Sequence, residues 1–148
     1  MAPGALFLAI VGKHVEIVKS LIAGGVNVGG LGRRDFEGWT PLTLAVRDGY
    51  EEIIRLLIAA GADVNAGDKK YTPLTLAVKK RHKEIIKLLI VAGADVNKED
   101  YRGHTPLAEA LACVNAYSAF DDRSWWDGNE KGEYMEIVEL LMASGAKS

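Results

Sequence analysis

Few residues of this 148-residue chain are of types that do covalent or metal chemistry, so their spacing is the first test of function. Cys113 is the single cysteine, and no base stands at a diagnostic spacing from it; a lone cysteine in a helical pattern reads as a small buried hydrophobe rather than a nucleophile. His14, His82 and His104 are too scattered along the chain for the paired spacing of a metal site. Asp121, Asp122 and Asp127 lack the mid-loop glycine and terminal glutamate of a calcium loop and read as a solvated acidic loop. The run Gly29-Gly30-Leu31-Gly32 follows no strand and opens no helix, so it is a flexible link, not a phosphate cradle. No catalytic residue, cofactor or metal is expected, and the chain is not expected to be an enzyme.

The bulk numbers agree with a binding role. A net charge of −2 lacks the cationic surplus that sequence-independent phosphate binding needs, so neither nucleic acid nor an anionic membrane is an expected partner. Apolar stretches are of helix length and broken by charge, too short to span a bilayer. An unpaired cysteine, the lack of Asn-X-Ser/Thr sites and the lack of a charged-then-apolar leader favour a reducing cytoplasm, with the nucleus as the alternative. One domain over residues 1–148 is expected.

What positions the remaining residues is a repeated phrase. Thr-Pro-Leu opens at Thr40, Thr72 and Thr105, every 32 to 33 residues. Thr40-Pro41-Leu42-Thr43-Leu44-Ala45-Val46, then Ile53-Ile54-Arg55-Leu56-Leu57, then Gly61-Ala62-Asp63-Val64-Asn65 recurs from Thr72 to Asn97. A weaker copy runs from Leu8 to Val28, and a fourth ends at Gly145-Ala146. Thr before Pro supplies an N-cap oxygen, and Pro suits the first helical position because its missing N–H had no partner there. Leu42, Leu44 and Ala45 give a short first helix one buried face; Ile53, Ile54, Leu56 and Leu57 give a second helix an apolar stripe, and Gly61 and Gly93 stop it. No single repeat can bury its own stripe, so stacking is required.

This pattern resembles the ankyrin repeat over nearly the whole chain. The resemblance implies an all-α solenoid of helix-turn-helix units joined by hairpin-like fingers, with repeats near 4–35, 36–67, 68–100 and 101–148. It also implies a protein-protein interaction module, an inhibitor or an adaptor, whose partner lies across the fingers and the concave inner helices. His14 and His82 fall at a turn position commonly His in the family, and Tyr50 and Tyr134 take that place elsewhere, so all four read as structural. Thr43, Thr75 and Ala108 stand where the family phrase has His, so its hydrogen bond is absent or remade by Thr.

Irregular positions then carry the functional expectation. The first repeat lacks Thr-Pro and reads as a truncated N-terminal cap, although apolar Leu6, Phe7, Ile10 and Val11 also suit a fragment of a longer ankyrin scaffold. Phe36 and Trp39 on the first finger suit either partner anchors or packing onto the helix behind. About 19 residues near 115–133 are inserted in the last repeat. There Trp125 and Trp126 are expected to cover the end of the stack, the alternatives being direct partner contact or a small-ligand or enzymatic site beneath them that includes Glu109. Glu109 replaces a core Leu and is expected on a solvated face. Residues 66–88 carry seven Lys or Arg against two acids, which points to a partner with an acidic patch. Carried over by position, the partner-binding residues are Phe36, Glu37 and Trp39; Lys69, Lys70 and Tyr71; Tyr101, Arg102 and His104; and, on the helices behind, Arg47, Asp48, Lys79 and Lys80. A monomer is expected.

Overall fold

The computed structural model describes residues 4–29, 38–67, 70–119 and 129–146, and of 117–119 and 129–131 the backbone alone. Among the described residues there are eight helices and no strand: α1 (Gly4–Val11), α2 (Val15–Ala23), α3 (Pro41–Asp48), α4 (Glu51–Ala59), α5 (Pro73–Lys79), α6 (Lys83–Val91), α7 (Pro106–Ala119) and α8 (Asn129–Ala143). Each odd-numbered helix packs on its successor, α1, α3, α5 and α7 pack in series as an inner layer, and α2, α4 and α6 follow as an outer one. The expected all-α stack is what forms.

The Thr-Pro phrase acts as its chemistry requires. Thr40 Oγ1 accepts from Thr43 N at 3.1 Å, and Thr43 Oγ1 accepts from Thr40 N at 3.0 Å, a reciprocal cap that satisfies two backbone donors. Thr72 caps Thr75 N in the same way, with the two hydroxyls 2.9 Å apart, so the threonines remake a hydrogen bond where the family has His. Ala108 cannot, and only Thr105 Oγ1 caps α7, at 3.1 Å from Ala108 N.

Outer helices end through a shared motif. Gly61 N and Ala62 N donate to the carbonyls of Ile58 and Leu57, a pattern repeated at Gly93-Ala94 and Gly145-Ala146. It needs a positive φ, which Gly61 (92°) and Gly93 (96°) adopt without a Cβ clash. The core is then continuous: Leu42, Leu44, Ala45 and Val46 of α3, Ile53, Ile54 and Leu57 of α4, and their equivalents in α5 and α6 are all buried. Asparagines join successive repeats, Asn65 Oδ1 accepting from Asp95 N at 2.8 Å and Asn97 Nδ2 donating to the Gly145 carbonyl at 3.2 Å.

In the first repeat Leu6, Phe7 and Ile10 are buried, whereas Leu8 and Val11 are exposed. In the last, α7 runs on to Ala119 and α8 starts at Asn129. The expected lid residues Trp125 and Trp126, like Phe36, Glu37 and Lys69, lie outside the described residues.

Candidate partner-binding surface

Each finger ends on the residue before a capping threonine, and in two repeats that residue is an aromatic that folds onto the inner helix eight residues on. Trp39 is half-buried against the core, and its ring centroid lies 5.2 Å from the Arg47 guanidinium carbon. Arg47 in turn donates to both oxygens of Asp48, at 3.0 and 3.2 Å, so its charge is compensated locally. Trp39 thus packs onto the helix behind it while part of its ring stays exposed. Tyr71 repeats the design, with Lys79 Nζ 4.9 Å from its centroid and donating to its hydroxyl at 2.6 Å. Such contacts are attractive because the ring face is negative. Lys80, the counterpart of Asp48, is exposed, and among the described residues neither Lys79 nor Lys80 has a carboxylate partner.

The third finger is built differently. Asp100 Oδ1 accepts from the backbone N–H groups of Arg102 (2.9 Å) and His104 (3.0 Å), which closes the turn. Its Oδ2 takes the Arg102 guanidinium through Nε at 3.1 Å and Nη2 at 2.8 Å, and Nη2 also reaches Glu109 Oε2 at 2.6 Å. On its other side the guanidinium carbon lies 4.9 Å from the Tyr71 ring. Glu109 is therefore buried and paired, which corrects the expectation of a solvated face: Arg102 folds back over α7 and supplies the counter-charge that burial demands. Burial alone would push Asp100 up; the Arg102 guanidinium and two backbone N–H groups outweigh it and hold the carboxyl below its usual range. Asp100 and then Glu109 keep the Arg102 guanidinium protonated, its pKa above the ordinary arginine value.

This arrangement also joins Asp100, His104 and Glu109, whose ligand-type atoms lie within 4.8 Å of one another, a cluster that spacing along the chain did not reveal. Arg102 already fills the place a cation would take, and both Asp100 oxygens accept hydrogen bonds, so the cluster is an arginine cage rather than a metal centre. Tyr101 points away, 70% exposed, and with Lys70, Tyr71 and Lys98 it borders a cleft of about 250 Å³ between the second and third fingers.

Other singled-out groups pack within the stack. Burial lowers the His82 pKa, chiefly by desolvation and then by Lys80, against a hydrogen bond to the Arg47 backbone. Tyr134 takes the same turn position one repeat on, and its hydroxyl donates to the Lys79 carbonyl at 3.0 Å. Burial pushes the half-buried Cys113 thiol up, which disfavours the thiolate a nucleophile needs. Among the described residues no helix is long and apolar enough to cross a membrane.

Capped helix pairs stacked in series, with fingers that lead into the inner layer, define a helical-repeat solenoid. A family model described as ankyrin repeats (3 copies) matches residues 3–68 and 65–120, and the chain belongs to the ankyrin repeat family. It is 42% identical over 64 residues to mouse protein phosphatase 1 regulatory subunit 27, a match covering 43% of this chain and 40% of that protein. The human counterpart is 44% identical over 62 residues, covering 42% of this chain and 38% of that protein. Human 2-5A-dependent ribonuclease is 40% identical over 58 residues, 39% of this chain and 8% of that protein. The matches thus span less than half of any of these relatives.

Proposed function

We propose that this chain is a non-enzymatic binding module that holds an acidic segment of another protein across its second and third fingers and the inner helices α3 and α5. Family membership and the likeness to regulatory subunits support a binding or adaptor class. One observation carries the choice of partner chemistry. Arg47 is neutralised by Asp48, whereas the equivalent pair Lys79 and Lys80 are both exposed and have no carboxylate partner among the described residues, which makes this spot of the third repeat positive within that set. Exposed surface charge of this kind speeds encounter with an oppositely charged partner more than it deepens affinity. Exposed Tyr101 beside the inter-finger cleft supplies an aromatic anchor next to that spot. The half-buried Cys113, with its raised thiol pKa, suits the reducing cytoplasm.

Capture from host lysate, followed by association kinetics on the captured protein, tests this reading. Lys79→Glu with Lys80→Glu should slow association about tenfold at low salt and flatten its salt dependence, with the fold intact and the stability lowered by no more than about 1 kcal/mol, because Lys80 is solvated and Lys79 gives up only its exposed contact with Tyr71. Arg47→Ala should leave the association rate near that of the parent. An association rate untouched by the double reversal would overturn the acidic-partner reading, and capture of nucleic acid in place of protein would overturn the class.

A further inference from the structure

The third finger departs from the repeat at the residues that border the second. Asn65-Ala66-Gly67 and Asn97-Lys98-Glu99 are the same stretch of successive repeats, so a cation and an acid stand where the sister repeat has almost no side chain. Ala66, Gly67, Lys98 and Glu99 all line the cleft of about 250 Å³ between the two fingers. The hollow exists because Ala66 and Gly67 leave one wall nearly bare. Gly67 has no room for more: a Cβ there would come within 2.0 Å of the Tyr71 carbonyl oxygen and 2.9 Å of Thr72 Cα.

Size and charge then select the occupant. Pockets for cofactors and drug-sized ligands run from about 300 to 1,000 Å³, and a helix is about 10–12 Å across, so a cleft of about 250 Å³ suits one side chain of an extended segment. Lys98 is exposed and makes no ion pair among the described residues, and Lys70 borders the cleft from the other finger. Of the two carboxylates at the cleft, Asp100 spends both oxygens on Arg102 and on backbone N–H groups, so Glu99 is the acid a ligand would meet. With Arg102 spent on Asp100 and Glu109, no guanidinium fork is left there among the described residues for a doubly charged phosphate, whereas one carboxylate matches Lys98 in charge. Tyr101, 70% exposed at the same cleft, gives an apolar neighbour of that carboxylate a ring to lie on.

We propose that the cleft between the second and third fingers is a socket for a single Asp or Glu side chain of the partner segment, with Lys98 as its counter-ion and an apolar neighbour lying on Tyr101. Glu99 limits the socket to one acid, because a second acid beside the first would face it at the rim. The proposal deepens the binding function given above and rests on it for the identity of the partner as a protein.

Blocked dipeptides test the socket without the partner, in NMR titrations followed at the backbone amides of Gly67, Lys98 and Tyr101. N-acetyl-aspartyl-leucine amide should shift these resonances with a Kd on the order of 1 mM. Its asparaginyl counterpart should bind about fivefold more weakly, and Lys98→Ala should weaken the aspartyl probe by the same factor, as loss of one exposed ion pair predicts. Lys98 is exposed, so the rest of the spectrum should stay unchanged. An aspartyl-aspartate probe should bind less well than the aspartyl-leucine one, and Glu99→Gln should narrow that gap. Equal responses to the aspartyl and asparaginyl probes, or aspartyl binding undiminished by Lys98→Ala, would overturn the socket. Tighter binding of a phosphoseryl-leucine probe would overturn the choice of a carboxylate. In the captured complex Lys98→Ala should raise the dissociation rate about fivefold, whereas reversal of Lys79 and Lys80 acts on association. Failure of the socket would thus leave the lysine-reversal result standing, and failure of that reversal would leave the dipeptide result standing.

Discussion

Glu109 stands where two sister repeats carry Leu44 and Leu76, and its burial works only because Arg102 reaches it. Removing one partner of a buried ion pair leaves an uncompensated charge, whereas replacing the acid by a hydrophobe of similar volume removes the need for one. Arg102→Ala should therefore destabilise the protein by about 3 kcal/mol, since it strands both Glu109 and Asp100. Glu109→Leu should stay within about 1 kcal/mol of the parent, because Arg102 keeps Asp100 and α7 regains the sister side chain. Urea unfolding of the two variants decides the matter. Equal losses from both would mean that the Arg102–Glu109 bond is a net stabiliser rather than a compensation for burial. Asp100 belongs to the same logic in acid: its depressed pKa is stability present near neutrality and lost as pH falls through the folded-state value.

At the scale of the element, the turns between inner and outer helices form a set of matched pairs. Each of the three described turns has one residue with positive φ: Lys13 at 55°, Gly49 at 73° and Arg81 at 58°. Where the next repeat presents a tyrosine, the position holds a long cation that reaches it, Lys13 lying 5.4 Å from the Tyr50 centroid and Arg81 6.0 Å from that of Tyr134. Where it presents His82, the position is Gly49, and a Cβ there would meet His82 Cε1 at 3.0 Å. Gly49→Ala should thus cost about 1–2 kcal/mol, from the left-handed backbone and the imidazole contact together. Lys13→Gly should be near neutral in the same thermal melts, because relieved backbone strain of about 1 kcal/mol offsets a lost cation–π contact of about 0.5–1 kcal/mol. His82 makes this junction acid-sensitive. Burial lowers its pKa, so the unfolded chain takes up the proton first, and the stability it contributes above about pH 6.5 is lost as pH falls below that value. His82→Gln should narrow the gap between melting temperatures at about pH 7.5 and 5.5; an unchanged gap would assign the acid sensitivity elsewhere.

Over the whole molecule, legibility in the sequence divided along the range of each interaction. Helix starts at Thr40, Thr72 and Thr105 and stops at Gly61 and Gly93 were readable because capping is settled by residues three or four apart. The burial of Glu109 was not, because it depends on how a finger seven residues upstream folds back over its own helix. The Trp39–Arg47 and Tyr71–Lys79 contacts lie between: both span eight residues across a capping threonine, a spacing that repeats and so was detectable. Range also governs stability. Among the described residues the main helix–helix packings lie within one repeat or between adjacent repeats, so the stack holds together largely through its junctions. A cavity at a middle junction should weaken the entire array, and one at an end should leave the rest folded. Ile86, fully buried in α6, is flanked on both sides, and Ile86→Ala should cost about 2–4 kcal/mol while unfolding stays a single transition. Ile17→Ala, at a half-exposed end position, should cost under about 1 kcal/mol. Hydrogen exchange adds the spatial readout: Ile86→Ala should lower protection in α3 through α8 together, whereas Ile17→Ala should lower it in α1 and α2 alone. A uniform loss of protection from Ile17→Ala would mean that the four repeats unfold as one unit, with no weaker end from which to fray.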